Sequence, residues 1–362
     1  MFNNIYSGRK VLVTGHTGFK GSWLCAWLKM LGAEICGLSL PMDTEYIHHD
    51  LLNLQFRSEI CDIRDGRKVS EIMQDFQPEI VFHLAAQPLV RLSYRQPVDT
   101  FAANVMGTVN VLEACRNTTS VRAIVAISSD KCYENREQSE GYKEDDPMGG
   151  YDPYSASKGC TELVISSYRR SFFNNSDYGT KHNTLLASGR AGNVIGGGDW
   201  AADRLVPDIM KAAAKSEEVI IRNPHSTRPW QHVLEPLGGY LLLGQRLFEG
   251  DTSAAEGWNF GPNDDSVTDV KQAADNLKKE WSSIRIKIDP PKDQPHEAKL
   301  LRLDCTKAEK RLKWHSVLSA KETFEMTAAW YKEFYSSKQI ITSKQITDYI
   351  NKAAARGLSW TK

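Results

Sequence analysis

Residues 13–21 read VTGHTGFKG, and this stretch narrows the folding options of the chain more than any other. It ends an apolar run, Lys10–Thr14 (KVLVT), and opens a segment, 21–32, in which Trp23, Leu24, Trp27, Leu28 and Leu31 recur at helical spacing. A strand that turns through Gly15, Gly18 and Gly21 into a helix meets three physical demands. Gly15 permits the tight turn, Gly18 lets backbone come close to a pyrophosphate, and Gly21 lets the helix lie close on the sheet. The helix start then offers unpaired N–H groups and the positive end of its dipole to phosphates. Thr17, Phe19 and Lys20 complete this candidate cofactor loop. Lys20 is followed by Gly21 rather than Ser or Thr, and the spacing differs from a Walker loop, which disfavours ATP chemistry. A plain glycine-rich turn is the bland alternative, and the strand and helix on either side argue against it.

The segments that follow alternate. Residues 34–40 are strand-like, 65–76 form a polar helix closed by Pro78, and 79–85 (EIVFHLA) are a buried strand. A helix is expected over 101–116, with Val105, Val109 and Leu112 on one face, then a strand over 122–128 (RAIVAIS) and a helix over 154–172. Such alternation implies right-handed crossovers and a doubly wound parallel sheet with helices on both faces, an α/β fold of Rossmann type. After residues 183–186 the rhythm changes. Gly, Asp, Pro and Trp crowd into 189–200, a helix is expected over 206–214, 290–295 (PPKDQP) read as a loop or linker, and helices follow near 306–312 and 320–335. The expected division is a dinucleotide-binding domain over 1–185, to which later segments return, and a smaller interleaved substrate-binding lobe over 186–362.

Composition removes other classes. The 362 residues carry 45 Lys+Arg against 45 Asp+Glu, which argues against a bulk nucleic-acid binder. No apolar run approaches the roughly 18 residues of a membrane span, and the opening MFNNIYS is too short and polar for a secretory signal. The 7 cysteines are scattered without a C-x-x-C pair, so neither a disulfide framework nor a zinc site is expected, and a reducing cytoplasm is the natural setting. His16, His182 and His232 have no second ligand at metal spacing, and no metal is expected.

Tyr154 and Lys158, in YSASK, stand one helical turn apart on one face. An ammonium beside a phenol favours the phenolate, which makes a usable base near neutral pH. The strand over 122–128 delivers Ser128, Ser129 and Asp130 upstream of this pair. At the end of the second strand stand Ser39, Leu40 and Pro41, with neither acid nor arginine, so that position leaves NAD against NADP open.

The G-x-x-G-x-x-G spacing, YSASK and HLAAQ (83–87) together resemble the extended branch of the short-chain dehydrogenase/reductase superfamily, over residues 10 to about 315. The resemblance implies that Asp62 and Ile63 touch the adenine, although Asp62 could equally be a helix cap. It also implies that Leu84, Ala85, Ala86 and Asn104 surround the cofactor and that Gln87 faces substrate. The stretch SSDKCY (128–133) places Ser129, Asp130 and Lys131 where nucleotide-sugar 4,6-dehydratases carry hydroxyl, acid and base. With GHTGFKG upstream and GGGDW (196–200) downstream, the chain resembles the CDP-glucose 4,6-dehydratase family.

That family implies NAD as cofactor, CDP-glucose as substrate and a 4-keto-6-deoxy sugar as product, made for deoxysugar and O-antigen supply. Tyr154 would deprotonate the sugar 4-hydroxyl with Ser129 sharing the hydrogen bond and Lys158 in support. Asp130 would protonate the leaving 6-hydroxyl, and Lys131 would be the second base or a stabiliser of the enolate. Arg190, Asn193, Arg204, Arg228, Asn259, His296 and Glu297 would grip the nucleotide sugar. The helices over 101–116 and 154–172 would pair into a homodimer, or a homotetramer built from two. Two other readings stay open. A 4-epimerase or dehydrogenase of the same superfamily would need Tyr154 but not Asp130, and a non-catalytic dinucleotide sensor would need neither Tyr154 nor Lys158.

Overall fold

The computed structural model describes residues 1–221, 223–262, 267–289 and 300–362. His296, Glu297 and the expected linker at 290–295 lie outside them. In chain order the first half runs β1 (Lys10–Thr14), α1 (Phe19–Met30), β2 (Glu34–Ser39), α2 (His48–Leu52), β3 (Arg57–Ile60), α3 (Gly66–Phe76), β4 (Ile80–His83), α4 (Val90–Arg95), α5 (Pro97–Phe101), α6 (Gly107–Arg116), β5 (Ala123–Ile127), α7 (Pro153–Ser171) and β6 (Leu185–Arg190). The second half adds β7 (Val194–Ile195), α8 (Leu205–Ala214), β8 (Glu218–Ile221), β9 (Thr227–Pro229), β10 (Gln231–His232), α9 (Leu234–Phe248), β11 (Gly257–Asn259), β12 (Val267–Asp269), α10 (Val270–Glu280), β13 (Arg285–Ile288), α11 (Ala320–Ser337) and α12 (Thr342–Ala355).

Seven strands form one parallel sheet in the order β11-β6-β5-β4-β1-β2-β3. Alternation along β1 divides the core. Val11 and Val13 face Trp23, Trp27 and Leu237, while Leu12 faces Val69, Val111 and Leu112 on the other side. Burial on both faces is why β4 and β5 read as unbroken apolar runs rather than alternating ones. The chain winds outward from β1 to β3 and then returns to β4 on the other side of β1. Thr14 stands beside His83 where the order reverses, and ligands of such sheets bind in the crevice beyond that point. The remaining β7/β10, β9/β12 and β8/β13 pairs are small two-stranded sheets of the second half. No helix among the described residues is long and apolar enough to cross a membrane.

Three departures from the sequence expectation have physical causes. The helix expected over 101–116 is interrupted by a π turn, Ala102–Met106, where the Asn104 side chain turns to the main chain of Gln87. Helix α9 was not expected, because LEPLGGYLLLGQRLF is buried almost all round and carries no polar stripe. Helix α12 was also missed. It returns to α1, with the Tyr349 ring 5.7 Å from Trp27, and the Trp360 ring after it stacks 5.1 Å from Phe2.

Candidate active site

The glycine loop is built as its spacing demands. Gly15 has φ +76°, and a Cβ there would lie 2.8 Å from the Ala85 nitrogen. A Cβ on Gly21 would lie 2.0 Å from the Gly15 carbonyl oxygen, so α1 could not sit where it does with any larger residue. Gly18 is different: it is the N-cap of α1, offers no capping side chain, and a Cβ there would meet only the Gly15 oxygen at 3.3 Å. The uncapped first turn is therefore open to an anion, and the cradle fits the diphosphate of a dinucleotide. Thr17 N–H donates to Ser39 Oγ at 3.2 Å and ties the loop to the end of β2. The Phe19 ring reaches Gly196, where its tip would be 3.3 Å from an added Cβ.

Across the switch point, Leu84, Ala85 and Ala86 follow β4, and Ala85 N–H donates to Thr14 Oγ1 at 3.1 Å. Asn104 and Gln87 meet an arrangement other than the expected ligand contacts. Asn104 Oδ1 accepts from Gln87 N–H at 2.7 Å, and Nδ2 donates to the Gln87 carbonyl at 3.1 Å and to Ser157 Oγ at 2.8 Å. Gln87 Nε2 donates to Thr100 Oγ1 at 2.9 Å while its Oε1 accepts from Leu89 N–H at 2.5 Å. Both side chains are engaged in shaping the loop. Asp62 caps no helix, since Asp65 caps α3. Its carboxylate takes Arg64 Nη2 at 2.7 Å and Arg64 N–H at 2.9 Å, and the Arg64 hydrogen bond holds it below the usual carboxylate range. Ile63 packs against Gly107, where a Cβ would lie 2.5 Å from its Cδ1.

Two helix-like starts position the candidate catalytic side chains. After β5, Ser129 caps a short turn, Asp130–Cys132, by accepting Lys131 N–H at 3.2 Å. Asp152 caps α7 through Ser155 N–H at 2.9 Å, with Pro153 at the first helical position, and so brings Tyr154 and Lys158 to the same crevice. Asp130 is held on both oxygens. Oδ1 accepts from Ser129 Oγ at 2.9 Å and Oδ2 from Asn193 Nδ2 at 3.4 Å. A Cβ on Gly192 would lie 1.8 Å from Oδ2, so the glycine is required for the space that the carboxyl fills.

Electrostatics modify the expected tyrosine–lysine partnership. Burial pushes the Tyr154 phenol up to about 12, and the Ser129 hydroxyl as hydrogen-bond partner only partly offsets this. Lys158 Nζ donates to the Ile127 carbonyl at 3.4 Å. Burial brings the Lys158 ammonium down to about 8, with Glu162 pulling the other way. Lys20, expected at the cofactor, faces the catalytic carboxyl. Burial lowers it to about 8, the Asp130 charge raises it, and Lys158 and Arg204 lower it. The Lys131 side chain is half-buried beside this group.

The expected substrate residues divide. Arg204 pairs with Asp199 at 2.8 Å and adds positive charge near Tyr154. Arg228 lies on β9 and donates to the Thr227 carbonyl at 2.8 Å. Asn193 grips Asp130 rather than standing apart from it. Arg190 is engaged within the protein: it pairs with Glu162 at 2.8 Å and donates to the Tyr133 hydroxyl at 2.6 Å and the Glu144 carbonyl at 3.0 Å. Asn259 is likewise engaged, accepting from the Tyr133 hydroxyl at 2.7 Å and donating to the Tyr142 and Asp304 carbonyls. Asn259 is paired on both side-chain atoms and Arg190 on both terminal nitrogens, as buried polar groups demand, while Arg190 Nε is buried without a hydrogen-bond partner. A cavity of about 770 Å³ lined by Arg190, Glu162, Glu256, Lys307 and Arg311 lies on this side and includes none of Ser129, Asp130, Tyr154 or Lys158. Sequence reasoning missed Glu162, Gly192 and Asp199. Glu162 stands one turn beyond Lys158, so the Tyr154, Lys158, Glu162 spacing was a usable signal.

Comparison with known proteins gives the relatives of this arrangement. The family model for GDP-mannose 4,6 dehydratase matches residues 12–327. A Salmonella typhimurium protein, CDP-glucose 4,6-dehydratase, is 48% identical over 352 residues, covering 96% of this chain and 98% of that one. A probable dTDP-glucose 4,6-dehydratase of Sinorhizobium fredii is 26% identical and covers 90% of this chain and 93% of that one. Among solved structures, the dTDP-glucose 4,6-dehydratase of Streptomyces venezuelae with NAD bound has a TM-score of 0.73 at 22% identity, covering 90% of this chain and 97% of that one. The UDP-glucose 4-epimerase of Thermotoga maritima has a TM-score of 0.76 at 22% identity, covering 90% of this chain and 99% of that one. These two structures share the fold.

Proposed function

The chain belongs to the GDP-mannose 4,6-dehydratase family, and from that premise we propose that it converts CDP-glucose to CDP-4-dehydro-6-deoxyglucose and water, with NAD held throughout the turnover. The observation that carries this reading is the acid beside the oxidising tyrosine. Ser129 donates to Asp130 at 2.9 Å, and the Asp130 charge and the Ser129 hydroxyl both act on the Tyr154 phenol. Oxidation alone needs the tyrosine, whereas loss of water also needs a proton donor for the departing hydroxyl.

The first turn of α1, with Gly15, Gly18 and Gly21, would hold the diphosphate of NAD, and Lys158 its nicotinamide end. When bound, NAD would supply hydride acceptance at C4 of the sugar and hydride return at C6. Tyr154 would take the proton of the 4-hydroxyl as phenolate, the form that positive charge at its side, Arg204 included, favours against burial. The ketone so made acidifies the C5 hydrogen; Lys131 stands as second base or as stabiliser of the enolate, and Asp130 protonates the 6-hydroxyl as its C–O bond breaks. Buried, opposed charges in a site closed to water strengthen each of these interactions. Arg204 and Arg228 are the guanidinium groups offered to the nucleotide diphosphate. A 4-epimerase would use Tyr154 alone, and an idle Asp130 locked between Ser129 and Asn193 has no place in that reading.

We further propose a homodimer through α6 and α7, whose neighbourhood exposes Met106 (54%), Leu163 (60%) and Phe172 (44%), and a cytoplasmic role in deoxysugar supply for a surface polysaccharide. Mass spectrometry on purified protein with NAD and, in parallel, CDP-, UDP- and dTDP-glucose tests the activity. Loss of one water from the CDP sugar alone is expected. An unchanged mass with a new stereoisomer would establish epimerisation instead.

A further inference from the structure

Nothing in the proposed reaction uses the cavity of about 770 Å³ on the Arg190 side. Residues 143–148, α7, the start of β11 and residues 304–311 enclose it. Its volume lies within the roughly 300–1,000 Å³ of small-molecule sites. The charges along its wall do not cancel by pairing. Arg190 takes Glu162 at 2.8 Å, and Lys307 and Arg311 take Glu256 at 2.5 and 3.0 Å. Lys143, Arg169 and Lys310 line the same wall and form no ion pair among the described residues. Arg169 Nε donates to the Leu186 carbonyl at 2.8 Å, but its Nη2 is buried without a hydrogen-bond partner, as is Arg190 Nε. Buried donors left unpaired are costly, so two such guanidinium groups on one cavity call for a ligand with acceptors. On the acidic side, Asp304 accepts Thr306 N–H at 2.8 Å and Glu144 accepts Asn259 N–H at 3.0 Å. Burial also raises the Glu144 carboxyl towards its neutral form. That leaves the exposed Asp145 against three unpaired cations, so the spare charge is positive.

We propose that this cavity is a second ligand site, for a nucleoside diphosphate. Arg169, Lys143 and Lys310 meet the diphosphate, and Glu144 and Asp145 meet the hydroxyl or amino groups of the nucleoside. Guanidinium and ammonium groups side by side suit two linked phosphates. A lone phosphate would leave most of the volume unfilled. Carboxyl groups accept from O–H and N–H donors, which a nucleoside carries and inorganic pyrophosphate does not offer in the same number. The site is distinct from the reacting groups, since none of Ser129, Asp130, Tyr154 or Lys158 lines it. It does not depend on the dehydratase reading.

The test is lysine acetylation of the full chain with NAD, read residue by residue by mass spectrometry, with CDP as the probe. CDP at ten times its Kd should slow acetylation of Lys143 and Lys310 by about tenfold. In Arg169→Met the concentration of CDP needed should rise by about tenfold, the scale of a lost charge-assisted hydrogen bond. Water loss from CDP-glucose should be unchanged in that variant. If Arg169→Met does not fold, Lys310→Glu on the exposed turn gives the same comparison through Lys143. Arg228→Ala, which alters the proposed catalytic grip, should leave the protection intact. Protection lost in Arg228→Ala would place CDP in the catalytic site alone and overturn the second site. No protection of either lysine in wild type, or full protection in both Arg169→Met and Lys310→Glu, would overturn it as well. Inorganic pyrophosphate protecting as well as CDP would overturn the nucleoside half of the assignment. Absence of water loss by wild type would overturn the dehydratase reading and leave the protection result standing.

Discussion

Gly192→Ala tests whether the position of the Asp130 carboxyl governs turnover. The added Cβ would lie 1.8 Å from Asp130 Oδ2 and 2.0 Å from its Cγ, well over an ångström closer than van der Waals contact allows. Main chain on one side and the Ser129 turn on the other leave the carboxyl as the group that must swing. That movement breaks its contacts to Ser129 Oγ and Asn193 Nδ2. Overpacking costs about 1–3 kcal/mol, and each hydrogen bond lost adds about 1 kcal/mol. The sum lowers Tm by a few degrees in a chain of this size. Turnover should fall further, by about 100-fold to 10,000-fold, as a misplaced general acid predicts. The assays are a thermal melt and water loss from CDP-glucose, with bound NAD measured to show that the cofactor site is intact. A double-mutant cycle isolates the cause, because Asp130→Ala removes the group that the methyl strikes. In the Gly192→Ala/Asp130→Ala chain the steric penalty should vanish, making the two stability changes clearly non-additive. Additive changes, or a Gly192→Ala enzyme with wild-type turnover, would refute the reasoning.

Other outcomes follow from the same geometry. Gly21→Ala, whose Cβ would lie 2.0 Å from the Gly15 oxygen, should displace α1 and abolish NAD retention; NAD content of the purified protein checks this. Lys20→Met should keep bound NAD yet lose at least tenfold in water loss, since the Lys20 ammonium and the Asp130 carboxylate act on one another; loss of NAD would return Lys20 to the cofactor. Glu162→Gln leaves the buried Arg190 guanidinium without its counter-charge and should cost about 3 kcal/mol in chemical denaturation. Burial alone would raise the Glu162 carboxyl, but Arg190 and the hydrogen bonds from Arg190, Ser128 and Ser188 outweigh it and hold it at about 2. Its contribution is therefore complete above the unfolded value of about 4.3 and is lost as pH falls towards 2. The wild-type melt should show this loss over that window and Glu162→Gln should not, whereas identical pH slopes would remove the assignment.

Local rules carried much of the fold. The glycine spacing, the apolar runs of β1, β4 and β5, and the Tyr154 to Lys158 interval each follow from neighbours in sequence, where period and turn chemistry act directly. What stayed hidden depends on residues far apart. Helix α9 shows no stripe because tertiary contacts bury it on every side. That Asn104 and Gln87 pair with one another across the π turn, and that Tyr133 joins Arg190 to Asn259, could not be read from spacing along the chain.

By itself, then, the sequence determined the doubly wound sheet and the glycine loop at its switch point, and it nominated the candidate catalytic side chains, since each rests on spacing within one segment. Only the tertiary structure decided what those side chains can do. The place of Gly192 against Asp130, the pull of the Asp130 charge on Lys20, and the burial that holds Tyr154 near 12 arise where separate segments meet. Desolvation and close approach depend on what surrounds a group in space, and no spacing along the chain encodes them.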